Sequence, residues 1–178
     1  MLEAAILILL LLIPLQPPWW VFCLAFLLTI PGAYAMWTGA PFVPTGRKIM
    51  GRMLALADIQ KGECVYDLGC GDGRLVFAAA KRGAQAIGYE LSLPTYLIAK
   101  FRSIFHKKSE IRLGNFWTAD LSDADVIFCF LLQETMQTFR EHIWPRLPSG
   151  CRVVSHAFTM RGIEALKEDQ GVVLYVKD

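Results

Sequence analysis

Charge is almost missing from the first 37 residues of this chain. Glu3 is the only acid there, and no Lys, Arg or His occurs before Arg47. A cleaved secretory leader needs a basic amino end and one short apolar stretch, so this pattern opposes such a leader despite the small-x-small sequence Ala33-Tyr34-Ala35. Metal-binding groups are equally scarce. The five cysteines, at 23, 64, 70, 129 and 151, form no C-x-x-C pair, and none of the three histidines stands at ligand spacing. No metal is expected, and the thiols read as isolated side chains in a reducing compartment. There is also no surplus of one sign. The whole complement of 18 Lys and Arg lies outside the first 37 residues and faces 15 of the 16 acids. So even and dispersed a balance excludes nucleic acid as an expected partner.

What the amino end does contain is long hydrophobic runs, and these raise the mean hydropathy of the chain to +0.40. Gln16-Pro17-Pro18 separates two of them. The second, Trp19 to Trp37, would reach about 28 Å as a helix, enough to cross a hydrocarbon core. Trp residues at both of its ends suit the two interfaces of a bilayer. The first, Ala4 to Leu15, would reach only about 18 Å and contains Pro14. Residues 1–37 are therefore expected to be a membrane anchor of one or two segments. Residues 38–58 read as a linker with Gly39, Pro41, Pro44 and Gly46, followed by a lead-in helix, and residues 59–178 as the working domain. Arg47, Lys48 and Arg52 follow the anchor and nothing basic precedes it, so the positive-inside rule turns that domain to the cytoplasm, against the inner membrane.

Within the domain the densest information lies in Val65-Tyr66-Asp67-Leu68-Gly69-Cys70-Gly71-Asp72-Gly73-Arg74. Three glycines at alternate positions sacrifice packing and backbone entropy, which a chain accepts where something approaches its backbone closely. A dinucleotide fingerprint would read G-x-G-x-x-G and seat a pyrophosphate on the helix end. Here the third glycine comes one position early, and Asp67 would repel a pyrophosphate. The same carboxylate suits a cationic ligand, and S-adenosylmethionine carries both a sulfonium and an ammonium. Glu90, at the end of the apolar run from Ala84 to Tyr89, stands where a carboxylate accepts both hydroxyls of a ribose.

Asp67-Leu68-Gly69-Cys70-Gly71-Asp72-Gly73-Arg74 resembles the first motif of the class I methyltransferases, an acidic residue before G-x-G-x-G. With Pro41-Phe42-Val43-Pro44-Thr45, Ala78-Ala79-Ala80-Lys81-Arg82-Gly83 and Gly88-Tyr89-Glu90-Leu91, the chain is similar to one group in particular. These are the membrane-anchored protein-lysine methyltransferases of mitochondria that modify the ADP/ATP carrier and the ATP synthase c subunit, with their bacterial relatives. The likeness covers about residues 40–160. The family usually has Asp where this chain has Asn115 and commonly Pro where it has Gln133, and the Trp expected past the fifth strand is absent around Arg161-Gly162.

Alternating elements predict an α/β fold, a Rossmann-like and mostly parallel sheet of about six strands with helices on both faces. Strands are expected over 64–68, 85–90, 110–113, 125–131, 151–157 and 172–177, without the full terminal hairpin of this fold. Helices are expected from Arg47, Arg74 and Ser92, with Met136, Phe139 and Ile143 in a further one ending before Pro145. Leu93, Leu97, Ile98, Phe101, Ile104 and Phe105 form an apolar stripe in the third. So small a domain has little room for its own lid, so the linker and anchor are expected to help shape the site.

The resemblance implies an S-adenosylmethionine-dependent methyltransferase acting on lysine in a membrane protein. Methyl transfer is an in-line displacement resting on proximity, so the lack of a catalytic dyad is expected. Asp67 is assigned to the cationic end of the donor, and Gly69, Cys70, Gly71 and Gly73 to the loop around it. Glu90 takes the ribose, and Asn115 with Phe116 takes the adenine. Phe130 and Glu134 border the methyl-transfer centre, where Glu134 orients an incoming ammonium and Thr45 lines the site. His156 reads as structural, and His106 and His142 as surface residues. A lipid or quinone acceptor, and donor binding without turnover, stay open at this point.

Overall fold

The computed structural model describes residues 18–26, 29 and 44–178. Most of the expected anchor and the first part of the linker lie outside the described residues. Residues 19–26 are helical, with Trp19, Trp20, Phe22, Leu24 and Phe26 exposed. Among the described residues no helix is long and apolar enough to cross a membrane.

The domain runs α1 (Arg47–Ala57), β1 (Cys64–Leu68), α2 (Arg74–Lys81), β2 (Gln85–Glu90), α3 (Leu93–Ser103) and β3 (Ser109–Leu113). A 3-10 turn (Phe116–Thr118) leads to β4 (Val126–Cys129) and α4 (Gln133–His142). A second 3-10 turn (Trp144–Arg146) leads to β5 (Arg152–His156), β6 (Lys167–Asp169) and β7 (Val172–Val176). The strands form one sheet in the order β3-β2-β1-β4-β5-β7-β6. Strands β1 to β5 pair in parallel, while β7 is antiparallel to both β5 and β6.

This is the Rossmann-like sheet, with one strand more than the sequence suggests. Lys167-Glu168-Asp169 is exposed throughout and carries no apolar alternation, so nothing in its composition marks a strand. It is a strand because Gln170 and Gly171, both at positive φ, turn the chain back onto β7. The terminal hairpin expected to be incomplete is therefore present, as a short one. Strand β4 is shorter than the expected 125–131, because the chain leaves the ladder after Cys129.

Alternation along the strands divides the core between the two faces of the sheet. Val126 and Phe128 of β4 pack with Met53, Leu54 and Ala57 of α1 and Leu75, Val76 and Ala79 of α2. Ile127 and Cys129 turn the other way, to Met136 and Phe139 of α4. The Cys70, Cys129 and Cys151 thiols are buried, and burial pushes Cys129 and Cys151 up to about 12, which keeps them unreactive.

Helix α3 departs from expectation. Its stripe of Leu97, Ile98, Phe101, Ile104 and Phe105 is exposed, and Ala99 is its one buried residue. The helix meets the sheet through Ala99 and the partly buried Tyr96, so the apolar periodicity was real but its face was not the core face. Ser92 occupies the N-cap, yet its side chain makes no capping bond; its backbone N–H instead donates to Glu90.

Candidate active site

The winding of the sheet reverses at β1, whose two neighbours are β2 and β4. At such a reversal the connections leave in opposite directions and open a crevice at the carboxyl ends of the strands. The register brings those ends together. Leu68 lies opposite Tyr89 and Cys129, Glu90 opposite Leu113, and Cys129 opposite Ser155. The glycine loop, Glu90, Asn115, Phe130 and His156 therefore all follow at one edge.

The loop is held in place by its neighbour strand. The backbone N–H groups of Gly69 and Cys70 both donate to the Tyr89 carbonyl, at 3.0 and 2.8 Å. Gly69, Gly71 and Gly73 have φ of +85°, +56° and +79°, a region that disfavours other L-residues. At Gly73 there is also no space, since a Cβ would lie 2.6 Å from the ring of Phe77. Glu90 is buried, and its two oxygens accept from Gly71 N–H at 2.9 Å and Ser92 N–H at 2.8 Å. It thus braces the loop from the side.

Three carboxylates gather here with different electrostatics. Burial pushes Asp72 up, but Arg74 and Arg102 both grip it and together hold it below the usual carboxylate value. Arg74 also donates to the Thr45 carbonyl at 2.9 Å. Asp67 is buried, and burial, then the Glu90 and Asp72 charges, push it up to about 7. A cation set beside Asp67 and Glu90 would offset both causes, so the donor set fits a positively charged ligand.

The sign of this shift yields a test. The folded value near 7 stands above the ordinary 3.8, so the ligand-free domain is favoured at low pH and loses stability as pH rises through about 7. Asp67→Asn removes that loss. Its stability relative to the parent is expected to rise with pH by on the order of 4 kcal/mol, most of it gained by about pH 7. Urea titrations of both proteins across this range check it. A constant difference at all pH values would show that Asp67 is not the group responsible.

The other sequence-predicted residues are placed as follows. The Cys70 side chain is buried against the Gly88 and Val76 side of the loop, so only its backbone belongs to the crevice edge. Its thiol is pushed well up by burial and then by Asp67 and Glu90, which suits packing and not nucleophilic attack. Asn115 follows β3, and its side-chain oxygen accepts from Trp117 N–H at 3.1 Å, capping the turn that presents Phe116. The Phe116 and Trp117 rings lie 4.7 Å apart. Phe130 is half-buried just past β4, and Glu134 is exposed in the first turn of α4. Thr45 is half-buried and joined to the loop through Arg74.

His156 is held as a structural side chain, as expected, whereas His106 differs from expectation. His156 packs its ring on Phe130 at 4.8 Å, and its Nδ1 bonds the Gly171 carbonyl at 3.1 Å. A carbonyl only accepts, so Nδ1 carries a proton in this bond. His106 is not a surface residue; it is half-buried and stacked on Phe77 at 4.3 Å. The clasp of Asp72 by Arg74 and Arg102 was not read from sequence, because Arg102 is brought from 30 residues away.

Comparison with known proteins agrees with this geometry. The family model of the ANTKMT methyltransferase domain matches residues 67–167. A protein-lysine N-methyltransferase of Saccharolobus islandicus is 36% identical over 149 residues, covering 76% of this chain and 92% of the archaeal one. The human lysine N-methyltransferase of the ATP synthase c subunit is 28% identical over 121 residues, a span of 66% of this chain and 52% of the human one. The crystal structure of an RNA methyltransferase from Salinibacter ruber, in complex with S-adenosyl-L-homocysteine, superposes with a TM-score of 0.69. It is 33% identical, over 75% of this chain and 91% of that one.

Proposed function

This chain belongs to the ANTKMT methyltransferase family and is an S-adenosylmethionine-dependent methyltransferase; from that premise we propose that it N-methylates lysine in a membrane protein, working from the cytoplasmic face. The observation that carries the membrane part is the Arg74 bond to the Thr45 carbonyl. It ties the chain leaving the hydrophobic amino end directly to the glycine loop. The exposed Trp19, Trp20, Phe22, Leu24 and Phe26 on that amino end support the same reading.

When bound, S-adenosylmethionine supplies an electrophilic methyl group. The chain's own residues do the rest. Asp67 would face the cationic end, the backbone of Gly69, Cys70, Gly71 and Gly73 would allow close approach, and Glu90 would accept from the ribose hydroxyls. Asn115 and Phe116 flank the adenine; Asn115 keeps a carbonyl lone pair for the exocyclic amine beyond the one used by Trp117. An incoming lysine arrives as an ammonium. Glu134 would orient it on approach, and at Phe130 desolvation beside the donor's positive charge would lower its pKa, so that the ammonium gives its proton to solvent before the amine attacks. Holding that nitrogen in line is the main catalytic contribution.

The similar Salinibacter protein is an RNA methyltransferase, which makes RNA the second acceptor to test. The even balance of 18 basic and 16 acidic residues disfavours it. Donor labelled in its methyl group, incubated with enzyme and native membranes, separates the acceptors. Label is expected in protein, recovered as methyl-lysine after hydrolysis. Label in the solvent-extracted lipids or in RNA would overturn the acceptor assignment.

A further inference from the structure

We propose that the outward face of α3 is a membrane-docking surface that lies in the interface of an anionic bilayer and brings the donor crevice to it. Leu97, Ile98 and Phe101 share one face of α3, and Ile104 and Phe105, in the turn that follows it, carry the apolar strip onward. Phe101, Ile104 and Phe105 are 65%, 72% and 73% exposed, and the Phe101 and Phe105 rings meet edge to face at 5.9 Å. Such a strip is unfavourable in water and marks a contact surface.

The occupant is indicated by charge and by chain path. Between Glu90 and Glu110 the chain contains Lys100, Arg102, Lys107 and Lys108 and no acid. Arg102 is taken by Asp72 and Lys100 lies near Glu110, which leaves Lys107 and Lys108 as the cations beside an aromatic and aliphatic strip, a combination that suits a segment lying in a lipid interface. Anionic headgroups supply counter-charge to Lys107 and Lys108. The path of the chain points the same way. Arg102 of α3 grips Asp72, Arg74 grips the same carboxylate, and Arg74 holds the Thr45 carbonyl. Thr45, close to the start of the described domain on the side of the hydrophobic amino end, is thus linked to α3 through two arginines and one carboxylate.

This inference rests on the membrane reading above, and the experiment separates the two. The full chain carries a nitroxide at Phe105→Cys in a Cys23→Ser, Cys64→Ser background, which leaves only buried native thiols, with a second preparation labelled at Ser149→Cys as reference. Ser149 is exposed in the turn before β5. Vesicles contain equal parts phosphatidylcholine and phosphatidylglycerol. The chain is expected to float with them, and the label at 105 to collide several-fold more with oxygen, relative to a water-soluble nickel chelate, than the label at 149. Flotation with both labels equally open to nickel would overturn docking while leaving the anchor standing. Failure to float would overturn both readings. A label at 105 shielded from oxygen and nickel alike would mean that protein covers the strip, and would overturn the lipid assignment. Repeating the measurement at Ile104→Cys guards against a local effect of one substitution.

Discussion

A Glu90→Ala variant is expected to bind S-adenosylmethionine at least about tenfold more weakly by isothermal titration calorimetry, and to unfold at lower urea. The affinity loss follows from the ribose hydroxyls losing a charged acceptor, a bond worth about 1.5–3 kcal/mol. The stability loss has a separate origin. Gly71 and Ser92 N–H groups at 2.9 and 2.8 Å would lose their acceptor in a buried place, at a cost of about 1–3 kcal/mol for each left unsatisfied. Glu90→Gln should fall between. Its one carbonyl oxygen serves one N–H, while its amide NH2 confronts the other. Unchanged donor affinity in Glu90→Ala would refute the ribose assignment even if the variant were less stable.

Gly88→Ala is expected to destabilise the domain by overpacking. Gly88 lies on β2 with extended neighbours on both sides, opposite Asp67 of β1 and Ile111 of β3. A Cβ there would stand 2.6 Å from Cys70 Sγ, 2.7 Å from Cys70 Cβ and 2.8 Å from Val76 Cγ2. The strand cannot shift away without breaking both ladders, so the glycine loop must yield. Overpacking of this kind costs about 1–3 kcal/mol. The loop's displacement would also weaken donor binding, because Gly69 and Cys70 share the Tyr89 carbonyl next to Gly88. Introducing Cys70→Gly into Gly88→Ala removes the sulfur and the Cβ and should recover part of the loss, whereas Cys70→Ala, which keeps the Cβ, should recover little. Urea midpoints for the three proteins measure this. Equal destabilisation in all three would show that contact with Cys70 is not the cause.

These variants show how unevenly the site was legible in the sequence. Asp67, the alternating glycines and Glu90 were readable because the chain places them next to one another or at the ends of apolar strands. Their chemistry follows from residue type at that spacing. The second role of Glu90, as acceptor for Gly71 and Ser92, depends on the course of the backbone after β2 and has no signature in composition. Gly88 read as part of an ordinary strand, and only the approach of Cys70 shows why a side chain is excluded there. Strand β6 was missed because a three-residue edge strand of Lys, Glu and Asp owes its pairing to the turn at Gln170-Gly171, not to burial. The apolar stripe of α3 was visible by its period, but a period does not say which side faces the sheet.

By itself the sequence determined the alternating α/β order, the carboxyl-end glycine loop, its preference for a cationic adenosyl ligand, and the uncharged amino end. Each is a local property, set by residue type and by spacing along one element. Tertiary structure decided what depends on distant segments meeting. It joined Arg102 and Arg74 on Asp72 and through them Thr45 to the loop, packed His156 on Phe130, and turned Leu97, Ile98, Phe101, Ile104 and Phe105 away from the core. The physical reason is that α3 settles on the sheet through its smallest side chain, Ala99, with Tyr96 beside it. Close approach at a small residue left the bulkier apolar side chains on the opposite face.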